Sequence, residues 1–237
     1  MNPFRHRESD EKSAAHPPAA DEFKEQRRAM VAEQMRERGI VSPRLLEAML
    51  AVPRHEFIPA EVLAEAYMDH PLPIGEGQTI SQPFIVAAML EALELSGHER
   101  VLEVGTGSGY EAAVLSLLAA EVHTIESQPA LAEAARQRLA RLGYTKVQVH
   151  AGDGSLGWPA AAPFDAMVVS AAAPQLPPPL LEQLAEGGRL VIPVGPADNQ
   201  ELLQVRKAGG GVVSRVLHYC RFVPLRGRHG WPSVQHG

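Results

Sequence analysis

The residues 101–110, VLEVGTGSGY, concentrate the chemistry this chain can offer. Gly105, Gly107 and Gly109 follow a short apolar run and precede a helical one. Glycines let the backbone turn tightly and let a ligand approach it, and the start of a helix offers unbonded N–H groups. The dinucleotide fingerprint G-x-G-x-x-G would need glycine at 110, where Tyr110 stands. The spacing here is G-x-G-x-G, which suits an adenosine cofactor without a pyrophosphate, and Glu103 can sit near the cationic amino-acid end of such a molecule. An ordinary glycine-rich strand-to-helix turn would show the same letters. Two further acids argue for a site. Glu126 ends the next strand-like run, where an acid can accept from both ribose hydroxyls. Asp153, in GDG, follows the third run and can accept from an adenine amino group. Three acids at the carboxyl ends of three successive strands mark the edge where open α/β sheets bind ligands.

A second candidate is the loop PLPIGEGQTISQP at 71–83, rich in glycine and proline with polar residues between. On local sequence Ser81 reads as a cap for a helix beginning at Pro83. A hydroxyl beside a helix start also suits an anionic carboxylate. Other groups offer less. The ten histidines show no H-x-x-x-H or H-E-x-x-H spacing, so no metal site is expected. His55 and His70 read as packing or surface residues. Cys220 lies in an apolar run and reads as buried and inert. Ser170 lacks the G-x-S-x-G context of a serine hydrolase. Arg226, Arg228 and His229 read as a solvated tail, and PQLPPP at 174–179 as a loop over the cofactor rather than a polyproline ligand.

These residues need elements to hold them. Periodicity predicts helices over 23–38, stopped at Gly39, and over 43–51, with Ser42 as cap and Leu45, Leu46 and Met49 on one face. A third short helix is expected over 60–67. Strands are predicted at 100–104, 121–126, 146–150, 165–170 and 189–194. Helices are predicted at 83–95, 109–119, 129–142 and 178–185. Such alternation means a parallel sheet covered on both faces. Two strand-like runs, 201–207 and 212–223, joined by AGGG, read as an antiparallel hairpin. The expected fold is a doubly wound, mostly parallel, seven-stranded Rossmann-like α/β sheet with a C-terminal antiparallel hairpin and an N-terminal helical segment. Residues 1–22 are expected to be a disordered tail, 23–225 a single domain with a helical lobe at 23–82, and 226–237 a C-terminal tail.

The glycine motif with Glu126 and Asp153 resembles class I S-adenosylmethionine-dependent methyltransferases. AVPRHEFIP (51–59), PLPIGEGQTISQP (71–83), AGDG (151–154), FDAMVV (164–169) and RFVPL (221–225) resemble protein-L-isoaspartate O-methyltransferase. The likeness runs in order from about 23 to 225, and TISQP is highly specific to that family. It implies transfer of a methyl group from S-adenosyl-L-methionine, leaving S-adenosyl-L-homocysteine, to the α-carboxyl of L-isoaspartyl residues in damaged proteins and peptides. It implies cofactor contacts at Gln78, Thr79, Ile80, Ser81, Glu103, Gly105, Thr106, Gly107, Ser108, Gly109, Glu126, Asp153 and Gly154, and marks Ser81 as the active hydroxyl. It also implies an unusual order of the last two strands, which the sequence does not reveal. RGRHGWPSVQHG after Leu225 matches nothing in the family pattern.

The bulk composition fits. With 22 Lys+Arg against 28 Asp+Glu, the net charge is −6, which demotes backbone-binding nucleic-acid partners. No apolar run reaches the roughly 18 residues a membrane span needs. The N-terminus lacks the apolar stretch of a secretory signal. One cysteine rules out an internal disulfide framework and suits a reduced, cytoplasmic setting. A monomer is expected. Three readings remain at this point: the isoaspartyl repair enzyme, a methyltransferase of the same build acting on a small molecule, and a silent relative that binds the cofactor or a partner protein.

Overall fold

Runs such as FDAMVV at 164–169 are mostly apolar because both faces of the sheet are covered. A computed structural model describes residues 22–232. Seven strands form the main sheet: β3 (Arg100–Val104), β4 (Glu121–Glu126), β5 (Val147–Ala151), β6 (Phe164–Val169), β7 (Leu184–Val194), β8 (Gln200–Ala208) and β9 (Gly211–Cys220). Their order is β5-β4-β3-β6-β7-β8-β9. The first five are parallel, while β8 and β9 run antiparallel. The last two strands thus lie in chain order, with β9 at the edge. The chain builds outward from β3 to β5 and then crosses back to β6, so its direction reverses between β3 and β6. A crevice opens outside the carboxyl ends of such a pair.

Alternate side chains on β3 face opposite layers. Val101 joins a large core with α3 (Pro83–Ala92), α4 (Tyr110–Leu118) and α2 (Pro43–Ala51), whereas Leu102 and Val104 join Phe164, Met167 and Leu180 on the other face. α5 (Pro129–Arg141) buries Leu131, Ala132, Ala135 and Leu139. Ser42 accepts from Leu45 N–H at 3.4 Å, and Leu45, Leu46 and Met49 are buried as the periodicity requires. α1 (Lys24–Ala29) continues through a wide turn at Met30–Met35 and a tight one at Arg36–Arg38 to Gly39 at φ +92°. α6 (Pro178–Gln183) precedes β7.

Four expectations are corrected. The segment at 60–67 is a tight-turn helix at Ala60–Glu65 only. The glycine-rich loop contains a small antiparallel hairpin, β1 (Leu72–Gly75) with β2 (Gln78–Ile80), turned by Glu76 at φ +52° and Gly77 at φ +66°. Positive φ at both turn residues matches the twist of a tight hairpin. β7 begins five residues earlier than its apolar run: the pairing of β6 with β7 shifts register between Phe164 and Ala166, and the strand passes through Gly187 and Gly188, read from sequence as a stop. The fourth concerns the solvated tail expected after Leu225. Trp231 N–H donates to Leu225 O at 2.7 Å, Arg228 N–H to Asp153 Oδ2 at 2.8 Å and His229 N–H to Ser155 Oγ at 3.0 Å. The segment folds back on the loop after β5. Residues 1–21 and 233–237 of the expected tails lie outside the described residues.

Candidate functional site

The glycine loop between β3 and α4 is fastened at several points. Gly105 N–H and Thr106 N–H both donate to Ile125 O, at 2.8 and 3.3 Å. Thr106 Oγ1 meets Thr124 Oγ1 at 2.6 Å. Gly107 N–H donates to Glu126 Oε2 at 2.9 Å, and the other oxygen of Glu126 accepts from Ser127 Oγ and Gln128 N–H at 3.2 and 3.0 Å. Glu126 therefore ties the loop to the next strand as well as facing the pocket. Gly107 has φ +51°, and a Cβ there would stand 3.2 Å from Ile74 of the small hairpin. A side chain at 107 would narrow the gap between loop and hairpin.

The resulting pocket brings together Gln78, Thr79, Ile80, Ser81, Glu103, Gly105, Thr106, Gly107, Ser108, Glu126 and Gly154. Two expected residues are absent from its wall. Gly109, at φ +88°, begins α4 and packs toward Leu139, so its role is to turn the chain. Asp153 Oδ1 accepts from Ser155 N–H and Ser155 Oγ at 2.9 and 2.6 Å, while Oδ2 accepts from Arg228. Its carboxylate organises the loop and the C-terminal segment, and the adjacent Gly154 forms the wall. A Cβ on Gly154 would fall 2.5 Å from Val104, so only glycine fits there.

Ser81 follows the hairpin. It is not the cap of α3: that position is Gln82, and Phe84 N–H is taken at 3.1 Å by Asp69 Oδ1 from another loop. The backbone of Ser81 is held from below by Arg54, which is 0 % exposed. Arg54 Nη2 donates to Ser81 O at 2.8 Å and Nε to Ala66 O at 2.9 Å, with the guanidinium 4.9 Å above the Tyr110 ring. Burial lowers its pKa to about 10, so it remains charged at neutral pH. A second cavity adjoins the first, between the hairpin and residues 219–224. Thr79, Ser81 and Ser170 line both. Among the described residues, Arg221 is the one charged residue on the wall of this second cavity. His55 packs as expected, stacked on Phe23 at 4.3 Å. Cys220 is half-buried, and burial pushes its thiol up to about 11.

Carboxyls dominate the electrostatics. Glu103 is 0 % exposed, and neither of its oxygens has a hydrogen-bond partner of normal geometry among the described residues. Burial, then the charge of Glu111, raise its pKa well above the carboxylate range; the nearby Thr124 hydroxyl opposes the rise and the Glu126 charge adds to it. Glu111 Oε2 accepts from Ser170 Oγ at 2.6 Å, its Oε1 is buried without a partner, and burial raises its pKa to about 7. Unpartnered buried carboxyl oxygens facing a cavity are costly unless a donor or cation reaches them. An adenosine cofactor with a cationic amino-acid end fits that demand.

Sequence reasoning assigned no role to Arg54, Glu111 or Ser170 in this site. Arg54 sits in the AVPRHEF motif, but nothing local marks it as buried. Glu111 reads as the first-turn acid of a helix, and the crossing from β3 to β6 alone brings Ser170 to it.

The family model described as protein-L-isoaspartate(D-aspartate) O-methyltransferase matches residues 25–230. A protein-L-isoaspartate O-methyltransferase of Methanoculleus marisnigri is 53% identical over 212 residues, covering 90% of this chain and 96% of its own. A solved structure of a protein-L-isoaspartate O-methyltransferase superposes with a TM-score of 0.79 at 30% identity, over 86% of this chain and 67% of that one. A Plasmodium falciparum structure described as a beta-aspartate methyltransferase in complex with S-adenosyl-L-homocysteine shares the fold, with a TM-score of 0.72 at 24% identity over 86% of this chain and 98% of that one. The profile match runs through the hairpin, the glycine loop and the C-terminal segment that together enclose the pocket, and on that extent the chain belongs to the protein-L-isoaspartate(D-aspartate) O-methyltransferase family.

Proposed function

We propose that this chain transfers a methyl group from S-adenosyl-L-methionine to the α-carboxyl of L-isoaspartyl residues in damaged proteins and peptides, with Ser81 positioning the acceptor. The observation that carries the assignment of roles is the junction of two cavities at Thr79, Ser81 and Ser170. One cavity has the glycine loop and acids for a cofactor. The other is open to a peptide and carries the Arg221 cation for a carboxylate.

When bound, S-adenosylmethionine supplies a methyl group activated by a sulfonium. The protein's residues then have three tasks. The close-approaching backbone of the glycine loop and the Glu126 carboxylate would hold the adenosine end, and Glu103 would face the cationic end. Ser81, its backbone fixed by Arg54, offers a hydroxyl to the acceptor carboxylate at the junction. No base is required, because an α-carboxyl with pKa of about 3.5 is ionised at neutral pH and is itself the nucleophile. The remaining barrier falls by holding oxygen and methyl carbon in line at about 3–3.5 Å. The ester then closes spontaneously to a succinimide, whose hydrolysis returns some ordinary aspartyl.

The chain is further read as a monomeric cytoplasmic protein whose partners are isoaspartyl-containing polypeptides. The net charge of −6 supports the absence of nucleic acid from that set. The test is methyl uptake by an isoaspartyl peptide beside its aspartyl twin. Labelling of the first alone is expected; equal labelling of both would refute the assignment.

A further inference from the structure

Glu103 and Glu111 are two acids that line the cofactor pocket, and three of their four oxygens are buried without a partner. The fourth accepts from Ser170 Oγ. Ser170 lies at the junction of the two cavities, where a methyl group must leave one and enter the other. Glu111 is therefore tethered, through Ser170, to the junction of the two cavities. The other charged or titratable groups around this place are accounted for. Glu126 on β4 is held by Gly107 and Gln128, Arg226 on the C-terminal segment donates to Pro232 O, and burial keeps the Tyr110 phenol on α4 neutral against the nearby Arg54 charge. Among the described residues, no lysine or arginine bonds to Glu103 or Glu111.

We propose that Glu111 is a further cofactor-binding residue which, by sharing one proton with Glu103, distinguishes the sulfonium cofactor from its thioether product. Two buried carboxylates in contact with the same small space cannot both ionise without a compensating cation. The unliganded pair holds one proton. S-adenosylmethionine carries a net charge of +1 at neutral pH (sulfonium and ammonium against one carboxylate), and the product carries none. A sulfonium beside the pair favours full ionisation, and the proton leaves to solvent. On transfer, the acceptor oxygen forms its bond to the methyl carbon, the carbon–sulfur bond breaks, and its electron pair stays on sulfur. The ester and the thioether are both neutral, so the site loses the sulfonium's positive charge and the acceptor's negative charge together; with the sulfonium gone from beside it, the pair takes a proton back from solvent, and its hold on the product weakens. Glu111 at a pKa of about 7 is poised for both steps.

This inference rests on the methyl-transfer reading, and the test separates the two. Calorimetry of the intact wild-type protein near pH 6.5, in two buffers of different ionisation enthalpy, counts protons released by each ligand. Release of a substantial fraction of a proton is expected with S-adenosylmethionine and much less with S-adenosylhomocysteine. Glu111→Gln keeps the shape and one hydrogen bond; it should abolish the difference and lower the preference for the sulfonium form by about tenfold, one pKa unit of coupling. Its unchanged thioether affinity would show that the variant is folded. Equal proton counts for the two ligands, or a wild-type preference in Glu111→Gln, would overturn the inference while leaving the methyltransferase standing. Binding of neither ligand would overturn both.

Discussion

Ser81 lines both cavities while Arg54 holds its backbone carbonyl, so its hydroxyl and its backbone can be tested apart. Asp69 already caps α3, so removing the Ser81 hydroxyl should leave stability almost untouched. A neutral hydrogen bond contributes about 0.5–1.5 kcal/mol, so Ser81→Ala should lower kcat on an isoaspartyl peptide by about tenfold. The urea midpoint, measured alongside, should stay within error; a fallen midpoint with intact kcat would return Ser81 to a structural role. Glu126 behaves differently. Its carboxylate accepts from Gly107, Ser127 and Gln128, so Glu126→Ala should weaken cofactor binding by about 1.5–3 kcal/mol and also lower the urea midpoint. Calorimetric affinity unchanged within error would remove Glu126 from the pocket's function.

At the scale of elements, turns place the catalytic edge. The turn joining α3 to β3 is organised by Glu99, which accepts from Ser96 N–H, Ser96 Oγ, Gly97 N–H and His98 N–H at 2.7–3.0 Å. Burial opposes ionisation of Glu99, but these donors outweigh it and bring the pKa to about 2. A lowered carboxyl pKa stabilises the fold above the unfolded value, near 4.5, and that stabilisation is lost as pH falls toward 2. Glu99→Gln should therefore destabilise at pH 6–7, and the gap from wild type should close as the pH approaches about 2. Urea titrations of both proteins across that range check it. A gap independent of pH would mean that Glu99 acts through shape alone. The hairpin β1–β2 carries the opposite lesson. A strand pair of four and three residues has almost no stability of its own. It holds because Leu72 and Ile80 are buried in the main core, and in doing so it aims Thr79 and Ser81 at both cavities.

For the whole molecule, the buried pocket acids make stability depend on pH. Glu111 titrates near 7 in the fold, against 4.5 for an ordinary glutamate side chain. A raised carboxyl pKa means the folded state binds more protons between those values, so stability falls as pH rises through the window. The unliganded protein should show a urea midpoint that declines from about pH 5 to pH 8, and Glu111→Gln should flatten part of that decline. A slope identical in the two proteins would show that Glu111 titrates normally. The placement of such acids at a ligand crevice follows the general clustering of perturbed groups at functional sites.

Much of this was legible in the chain itself. The parallel sheet follows from apolar-rich runs such as FDAMVV alternating with helical ones, because strands covered on both faces are mostly apolar. The glycine loop, Glu103 and Glu126 could be placed at one sheet edge because strand ends and helix starts are local features. The small hairpin is not legible because three- and four-residue strands carry too little period to read. The full length of β7 is not legible because its glycines look like a stop, whereas pairing with β6 carries the strand through them. Asp153, Arg54, Glu111 and Ser170 depend on partners far along the chain: Arg228, Ser81 and the end of β6. Which buried polar group finds which partner is settled by long-range packing, since burial is what makes a missing hydrogen bond costly. Local sequence therefore determined where a cofactor could lie, and only the tertiary structure decided which charges would face it.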